Sequence, residues 1–247
     1  MVGLVLVAAT LVVVRYLPRP PLSIQDSGLI TQKAQPPSLS LPDKPSIVVL
    51  PFVNLSGDSG QDYFSDGITD VLTSDLSRIS SLFVIARTTA SSYRDKPVNV
   101  QEVGRELGVR YVLEGSVQKT AEHVRIIAQL IDTTTGGHLW AERYDRPLQD
   151  IFTLQDETVQ KIVLALKVKL TQEEQERFKH APTNNLEAYD YYLRGVEDVS
   201  RVTQESLVQA RQMFAHALKL DPEYAAAYAL LGYAYWAEWG GGWNPDP

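Results

Sequence analysis

The sequence predicts an α/β domain, with a mixed five-stranded sheet packed by helices. An N-terminal membrane helix precedes it and an all-α helical hairpin follows it. Three observations carry that reading. Residues Val2 to Val14 are almost purely apolar. Between residues 45 and 171, short apolar runs with strand character alternate with stripes at helical spacing. From residue 182 onward the spacing is helical alone, with small residues recurring among large ones.

A full membrane span needs about 20 apolar residues. Val2–Val14 falls short of that, but Tyr16 and Leu17 continue the stretch past Arg15. Arg15 can snorkel, and Tyr16 suits a membrane interface. A signal-peptide core is the rival reading. It is weakened by the missing basic stretch at the start and by the lack of a small-x-small cleavage site before the prolines. A buried helix is the third alternative. We read residues 1–17 as a single-span transmembrane or signal-anchor helix that contacts the membrane. Arg15 and Arg19 follow it, so the positive-inside rule taken alone puts the C-terminal bulk in the cytoplasm. Half of the 14 prolines then fall between Pro18 and Pro45, among Ser, Gln and Gly. Residues 18–44 therefore read as an extended, partly stiff linker.

The α/β domain is expected over 45–171. Ile47 to Phe52 is a continuous apolar run, as in a strand covered on both faces. Asn54 to Asp62 is a Gly/Ser/Asp loop. Phe64, Ile68, Val71, Leu72, Leu76 and Ile79 recur at helical spacing. Leu82 to Ala86 reads as a second buried strand. Asn99 can cap a short helix with Glu102 reaching back, and Gly108 can end it. Tyr111 to Val117 and Val124 to Leu130 alternate across Thr120-Ala121-Glu122, as in an antiparallel hairpin. His138 to Tyr144 is the fifth strand. Ile151, Leu154, Val159, Ile162, Val163, Leu166 and Leu170 stripe a closing helix.

From 182 to 247 the pattern is Ala210-x3-Phe214-x2-Ala217-x4-Pro222, then Tyr228-x2-Leu231-Gly232-x2-Tyr235. Small residues sit where helices cross, because a large side chain would hold the backbones apart. Pro222 has no backbone N–H to lose at a helix boundary. This spacing resembles the second half of one tetratricopeptide repeat (TPR) and the first half of the next, so an incomplete TPR array is expected. The resemblance implies a groove that binds a protein partner. Aligning Gly195 and Gly232 with the small eighth position puts Tyr189, Tyr192, Val196, Ala226, Ala229, Tyr233 and Trp236 on it. Ordinary packing between helices is the competing reading of these aromatics. The pattern is broken at Arg194, where Leu is usual, and at Asp198, where Tyr is usual. The helix from Glu223 to about Glu238 is expected to expose an apolar face, which would favour self-association.

A second resemblance rests on Lys44–Asp58 (Lys-Pro-Ser-Ile-Val-Val-Leu-Pro-Phe-Val-Asn-Leu-Ser-Gly-Asp), Tyr63–Thr69, Gly104–Val117 and Gly136–Asp145. Together these segments resemble the C-terminal half of bacterial membrane proteins in which a TolB N-terminal-like (FlgO-like) α/β domain precedes TPRs. In that family the upstream part is a class III adenylate/guanylate cyclase or a winged-helix domain. The resemblance implies a single-pass inner-membrane protein with this region in the periplasm.

Composition narrows the function. The formal net charge is -7 with no Lys/Arg cluster, which argues against a nucleic-acid surface. There is no cysteine, which excludes disulfides and thiolate chemistry. Asp58, Asp62, Asp66 and Asp70 are spaced by four, but they read as caps and as charge near a helix N-terminus rather than as a metal site. Gly57 and Gly60 lack the phosphate-loop pattern and its Lys. His138 and Glu142 share a strand face about 13 Å apart, too far to chelate together. Trp140 and Tyr144 form either an exposed ligand platform or packing beneath a helix. No catalytic, cofactor or metal site is expected. The favoured function is a non-catalytic sensory or scaffolding region that docks a protein. A regulatory fragment of a nucleotide cyclase and a small-ligand-binding α/β domain are the alternatives.

Overall fold

The computed structural model describes residues 44–94, 96–177 and 182–243. The expected anchor at 1–17, and the linker at 18–44 except for Lys44, lie outside the described residues. Among those described, no helix is long and apolar enough to cross a membrane. The elements run β1 (Ser46–Val49), β2 (Val53–Asn54), α1 (Asp62–Ser77), β3 (Phe83–Val84), α2 (Arg87–Ala90), α3 (Val100–Leu107), β4 (Tyr111–Lys119), β5 (His123–Asp132), β6 (Gly137–Pro147), α4 (Ile151–Ala165), α5 (Gln172–Arg177), α6 (Leu186–Arg201), α7 (Gln204–Leu220) and α8 (Ala225–Gly240).

The sheet is mixed and six-stranded, in the order β3-β1-β4-β5-β6, with β2 also pairing with β4. β3, β1 and β2 are parallel to their neighbours, while β4-β5 and β5-β6 are antiparallel. The expectation of five strands is corrected at Pro51. Leu50 donates its N–H to Leu113, pairing resumes when Val53 meets Ser116, and the apolar run becomes two short strands on one neighbour. Proline has no N–H for the ladder, and the freed Phe52 N–H instead reaches the Thr69 hydroxyl of α1 at 3.0 Å. The Phe52 ring lies over Gly115, where a Cβ would stand 2.7 Å from its Cε1 and 2.3 Å from the Ile127 carbonyl oxygen.

β1 is buried along its length. Ile47 and Val49 join the main core with α1 and α4, while Val48 and Leu50 join a smaller core with Val103 of α3 and Ala90 of α2. The second predicted strand is shorter than expected and lies at the sheet edge, which leaves Phe83 exposed. β5 alternates: Val124, Ile126, Ala128 and Leu130 are buried, while His123 and Arg125 face water. Asn99 caps α3 through the N–H groups of Gln101 and Glu102, and Gly108 closes it at φ 63°. Glu102 pairs with Arg105 at 3.8 Å.

α4 stops sooner than its apolar stripe, which runs on to Leu170. Lys167 turns left-handed at φ 53°, and the Val168 N–H bonds the Val163 carbonyl. α5 was not foreseen. It begins with a reciprocal cap, in which the Glu174 carboxylate accepts from the Thr171 N–H at 2.8 Å and the Thr171 hydroxyl accepts from the Glu174 N–H at 3.2 Å.

α6 and α7 are antiparallel neighbours: Asn185, which caps α6, donates its side-chain N–H to Leu220 at the end of α7. They cross closely at Gly195, where a Cβ would stand 2.6 Å from Phe214 Cε1. α8 packs on α7 through small side chains, with Ala227 and Ala234 buried.

Candidate functional site

α6 is the element that joins the helices to the sheet domain. Its face against α1 is set by Gly67, where a Cβ would stand 2.5 Å from Leu193 Cδ2. Beside that crossing lies a polar cluster. Asp190 accepts from the Tyr63 hydroxyl at 2.5 Å, from Lys119 Nζ at 2.7 Å and from Arg194 Nε at 2.8 Å. The Arg194 guanidinium also lies 4.3 Å from the centre of the Tyr63 ring. Burial alone would raise the Asp190 pKa, but the hydrogen bonds from Lys119, Tyr63 and Arg194 hold it below the ordinary carboxylate value. Burial pushes the Tyr63 hydroxyl far up, reinforced by the adjacent Asp190.

Between α1, α4, α5, α6 and α8 lies a cavity of about 310 Å³. Its aromatic wall comes from Phe152, Tyr189, Tyr192 and Tyr224. Phe152 meets Tyr189 edge-on at 4.9 Å, and Tyr192 leans on Tyr224 at 4.9 Å. The Tyr189 hydroxyl accepts from Gln155 Nε2 at 2.6 Å. The polar wall includes Asp70 and Asp75 of α1, Arg78 just past its end, Asp156 of α4 and Glu174 of α5. Burial raises Asp70 to about 7 against the opposing pull of Arg87, with which it is ion-paired. Burial, and then the nearby Asp75, raise Asp156 to about 6. Burial also raises Asp75. Glu174 moves the other way, to about 2, because the backbone N–H groups of Ser80 and Thr171 donate to its carboxylate.

Of the seven groove residues expected from sequence, the cavity brings together Tyr189, Tyr192, Val196 and Ala226. Tyr189 is buried and belongs to the main core, and Tyr192 is partly buried against it. Ala229, Tyr233 and Trp236 lie elsewhere on α8 and are exposed. Tyr233 and Trp236 are neighbours, 5.8 Å between ring centres.

The four spaced aspartates have separate duties. Asp58 caps a 3-10 turn through the Gly60 N–H, Asp62 accepts from Asn54, Asp66 pairs with Arg94 and Asp70 with Arg87. No group of three or more His, Asp or Glu among the described residues could hold a metal ion. Trp140 and Tyr144 pack into the main core, and Trp140 Nε1 donates to Glu142 at 3.1 Å. Asp75, Asp156, Gln155 and Tyr224 were missed as site residues. Ser74, Asp75 and Arg78 are polar like much of α1 and carry no local signal of the cavity, and the approach of Asp156 is a long-range event.

Residues 42–139 match the family model of the TolB amino-terminal domain. A protein of Rhizobium meliloti (strain 1021) named "Putative adenylate cyclase 3" is 51% identical over 211 residues, covering 85% of this chain. The chain spans only 36% of that relative's length. Among solved structures, TolB from Acinetobacter baumannii is 21% identical, covers 54% of this chain and 31% of its own, and has a TM-score of 0.39. The LpoB C-terminal domain from Escherichia coli is 17% identical, covers 41% and 82%, and has a TM-score of 0.35. The matched span holds β1 through the start of β6, so the similarity to the TolB amino-terminal domain lies in the sheet domain.

Proposed function

We propose that this chain is the non-catalytic sensory and scaffolding region of a membrane-anchored bacterial protein, and that it regulates an output domain encoded upstream. In this reading residues 1–17 are the anchor, 18–44 the spacer, 45–171 the TolB N-terminal-like domain and 182–247 TPR helices that dock a protein partner, all beyond the anchor being periplasmic. The observation that carries it is the docking of α6 on α1 through Gly67, Leu193 and the Asp190 cluster. A partner that shifts the helices would load that contact directly, so a docking event is felt in the sheet domain. Support for an upstream output domain comes from the relative named as an adenylate cyclase, whose length extends well beyond the matched part. No residue of this chain is assigned to catalysis or to a cofactor.

The exposed pair Tyr233 and Trp236 offers the partner-binding groove its most accessible rings. Aromatic anchors of this kind typically cost about 2 kcal/mol or more when truncated. Tyr233→Ser with Trp236→Ser should therefore weaken retention of a crosslinked native partner at least tenfold, with the melting temperature unchanged. Equal retention by the variant and the wild type would sink the groove assignment. An alkaline phosphatase fused after residue 243 should be active, and an inactive, stable fusion would overturn the periplasmic placement.

A further inference from the structure

The cavity under α6 carries an imbalance that the fold itself does not resolve. Five charged side chains face it, and three are accounted for: Asp70 is paired with Arg87, Glu174 holds two backbone N–H groups, and Arg78 is exposed. Asp75 and Asp156 are partly buried, and Asp75 raises the cost of ionising Asp156; neither has an ion pair or side-chain hydrogen bond among the described residues, and only the field of the exposed Arg78 offsets the burial of Asp75. Opposite them stands the aromatic wall. Tyr224 belongs to that wall; it is 1% exposed, and its hydroxyl has no hydrogen-bond partner. Buried polar groups are nearly always satisfied, and an orphan in a wall beside the uncompensated carboxylate of Asp156 points to an absent occupant.

We propose that this cavity is a binding site for a small organic cation, a primary amine or guanidinium on a short apolar body, with Asp75 and Asp156 receiving the charge and Tyr192 and Tyr224 enclosing the stem. The chemistry selects this class over others. Two carboxylates repel anions. Aromatic faces attract a cation and accept an apolar stem, which a hydrated metal ion lacks. The volume of about 310 Å³ lies at the small end of ligand pockets, roughly 300–1,000 Å³. Burial raises Asp75 against the pull of Arg78, and burial with the nearby Asp75 raises Asp156, a cost that a bound cation would relieve. The site lies against both α1 and α6, so an occupant would tighten the contact on which the scaffolding reading rests, although binding itself stands independently of that reading.

The test is calorimetric titration of the full chain with phenethylamine and agmatine, against 2-phenylethanol and phenylacetate of similar size. Saturable binding of an amine at least tenfold tighter than of the alcohol or the acid is expected. The isosteric change Asp75→Asn with Asp156→Asn should weaken amine binding at least tenfold and raise the melting temperature, because it removes an unpaired repulsion. Tyr224→Phe should weaken binding several-fold without loss of fold. No amine binding at millimolar concentration, equal binding of the neutral alcohol, or full affinity in a folded double variant would each overturn the proposal. If either variant fails to fold, the wild-type contrast between amine and alcohol decides alone.

Discussion

Val202 shows how much one residue can hold. It ends α6 in the left-handed region at φ 48° and is 50% exposed. For a β-branched residue that conformation is a true outlier, since the Cβ crowds the following carbonyl at a cost of about 1–2 kcal/mol. The position is where helices ordinarily place Gly or Asn. Part of any gain from Gly is offset by the freer unfolded chain, so Asn is the cleaner replacement. Val202→Asn should stabilise the protein by about 1 kcal/mol, roughly 2–4 °C in melting temperature for a chain of this size. A lower melting temperature would mean that the exposed Val side chain makes a contact worth more than the strain.

At the scale of elements, α6 decides whether the helices and the sheet domain act together. Its contact rests on Asp190, whose side chain is 28% exposed, and on Lys119 at 15%. Asp190→Ala would leave Lys119 and Arg194 facing each other with no anion between them. The loss should be about 2 kcal/mol, below the full penalty for a buried pair because water still reaches the cluster. The pH dependence follows from the sign of the shift. The folded-state pKa of Asp190 is lowered, so the native protein binds fewer protons here than the unfolded chain once the pH approaches the ordinary carboxylate value, about 3.9. The stabilisation is therefore present above that value and is lost as the pH falls through the folded pKa. Melting curves of wild type and Asp190→Ala should differ at pH 7 and converge as the pH falls through the lowered folded-state pKa; parallel curves at all pH values would exclude the ion cluster as the source. None of this was legible in the sequence. Tyr63, Lys119 and Asp190 come from three elements, and no local pattern announces their meeting. What was legible is what repeats: the buried run at Ile47, the alternation of β4 and β5, the stripes of α1 and α4, the small residues at Gly195 and Ala210. Pro51 was visible but read as part of a strand, because its effect depends on which neighbour receives the interrupted ladder. The cavity was half visible: Tyr189 and Tyr192 were singled out, while Asp75 and Asp156 were not.

At the scale of the whole molecule, the largest exposed apolar surface among the described residues lies on α8. The helix is packed with its small side chains inward and its large ones outward. Ala227 and Ala234 are fully buried against α7, whereas Tyr228, Tyr233, Tyr235, Trp236 and Trp239 are 41–63% exposed. The Arg211–Glu238 pair, 2.9 Å apart with Glu238 only 3% exposed, fixes the rotation of the helix and so holds the aromatics outward. Each such ring can bury about 150–250 Å², and a contiguous apolar patch beyond a few hundred Å² is uncommon on a monomer. The opposing term is charge: at -7 overall, two copies repel at low ionic strength. The balance predicts weak, reversible self-association that grows with salt. Sedimentation velocity of the full chain should show a concentration-dependent shift at 0.5 M NaCl and a smaller one at 20 mM. Trp236→Gln with Trp239→Gln should weaken it at least tenfold, because hydrophobic contact, unlike ion pairing, is not screened by salt. A wild-type monomer at both ionic strengths would mean that this face has no affinity for its own copy, and association that weakens with salt would assign the contact to charges instead.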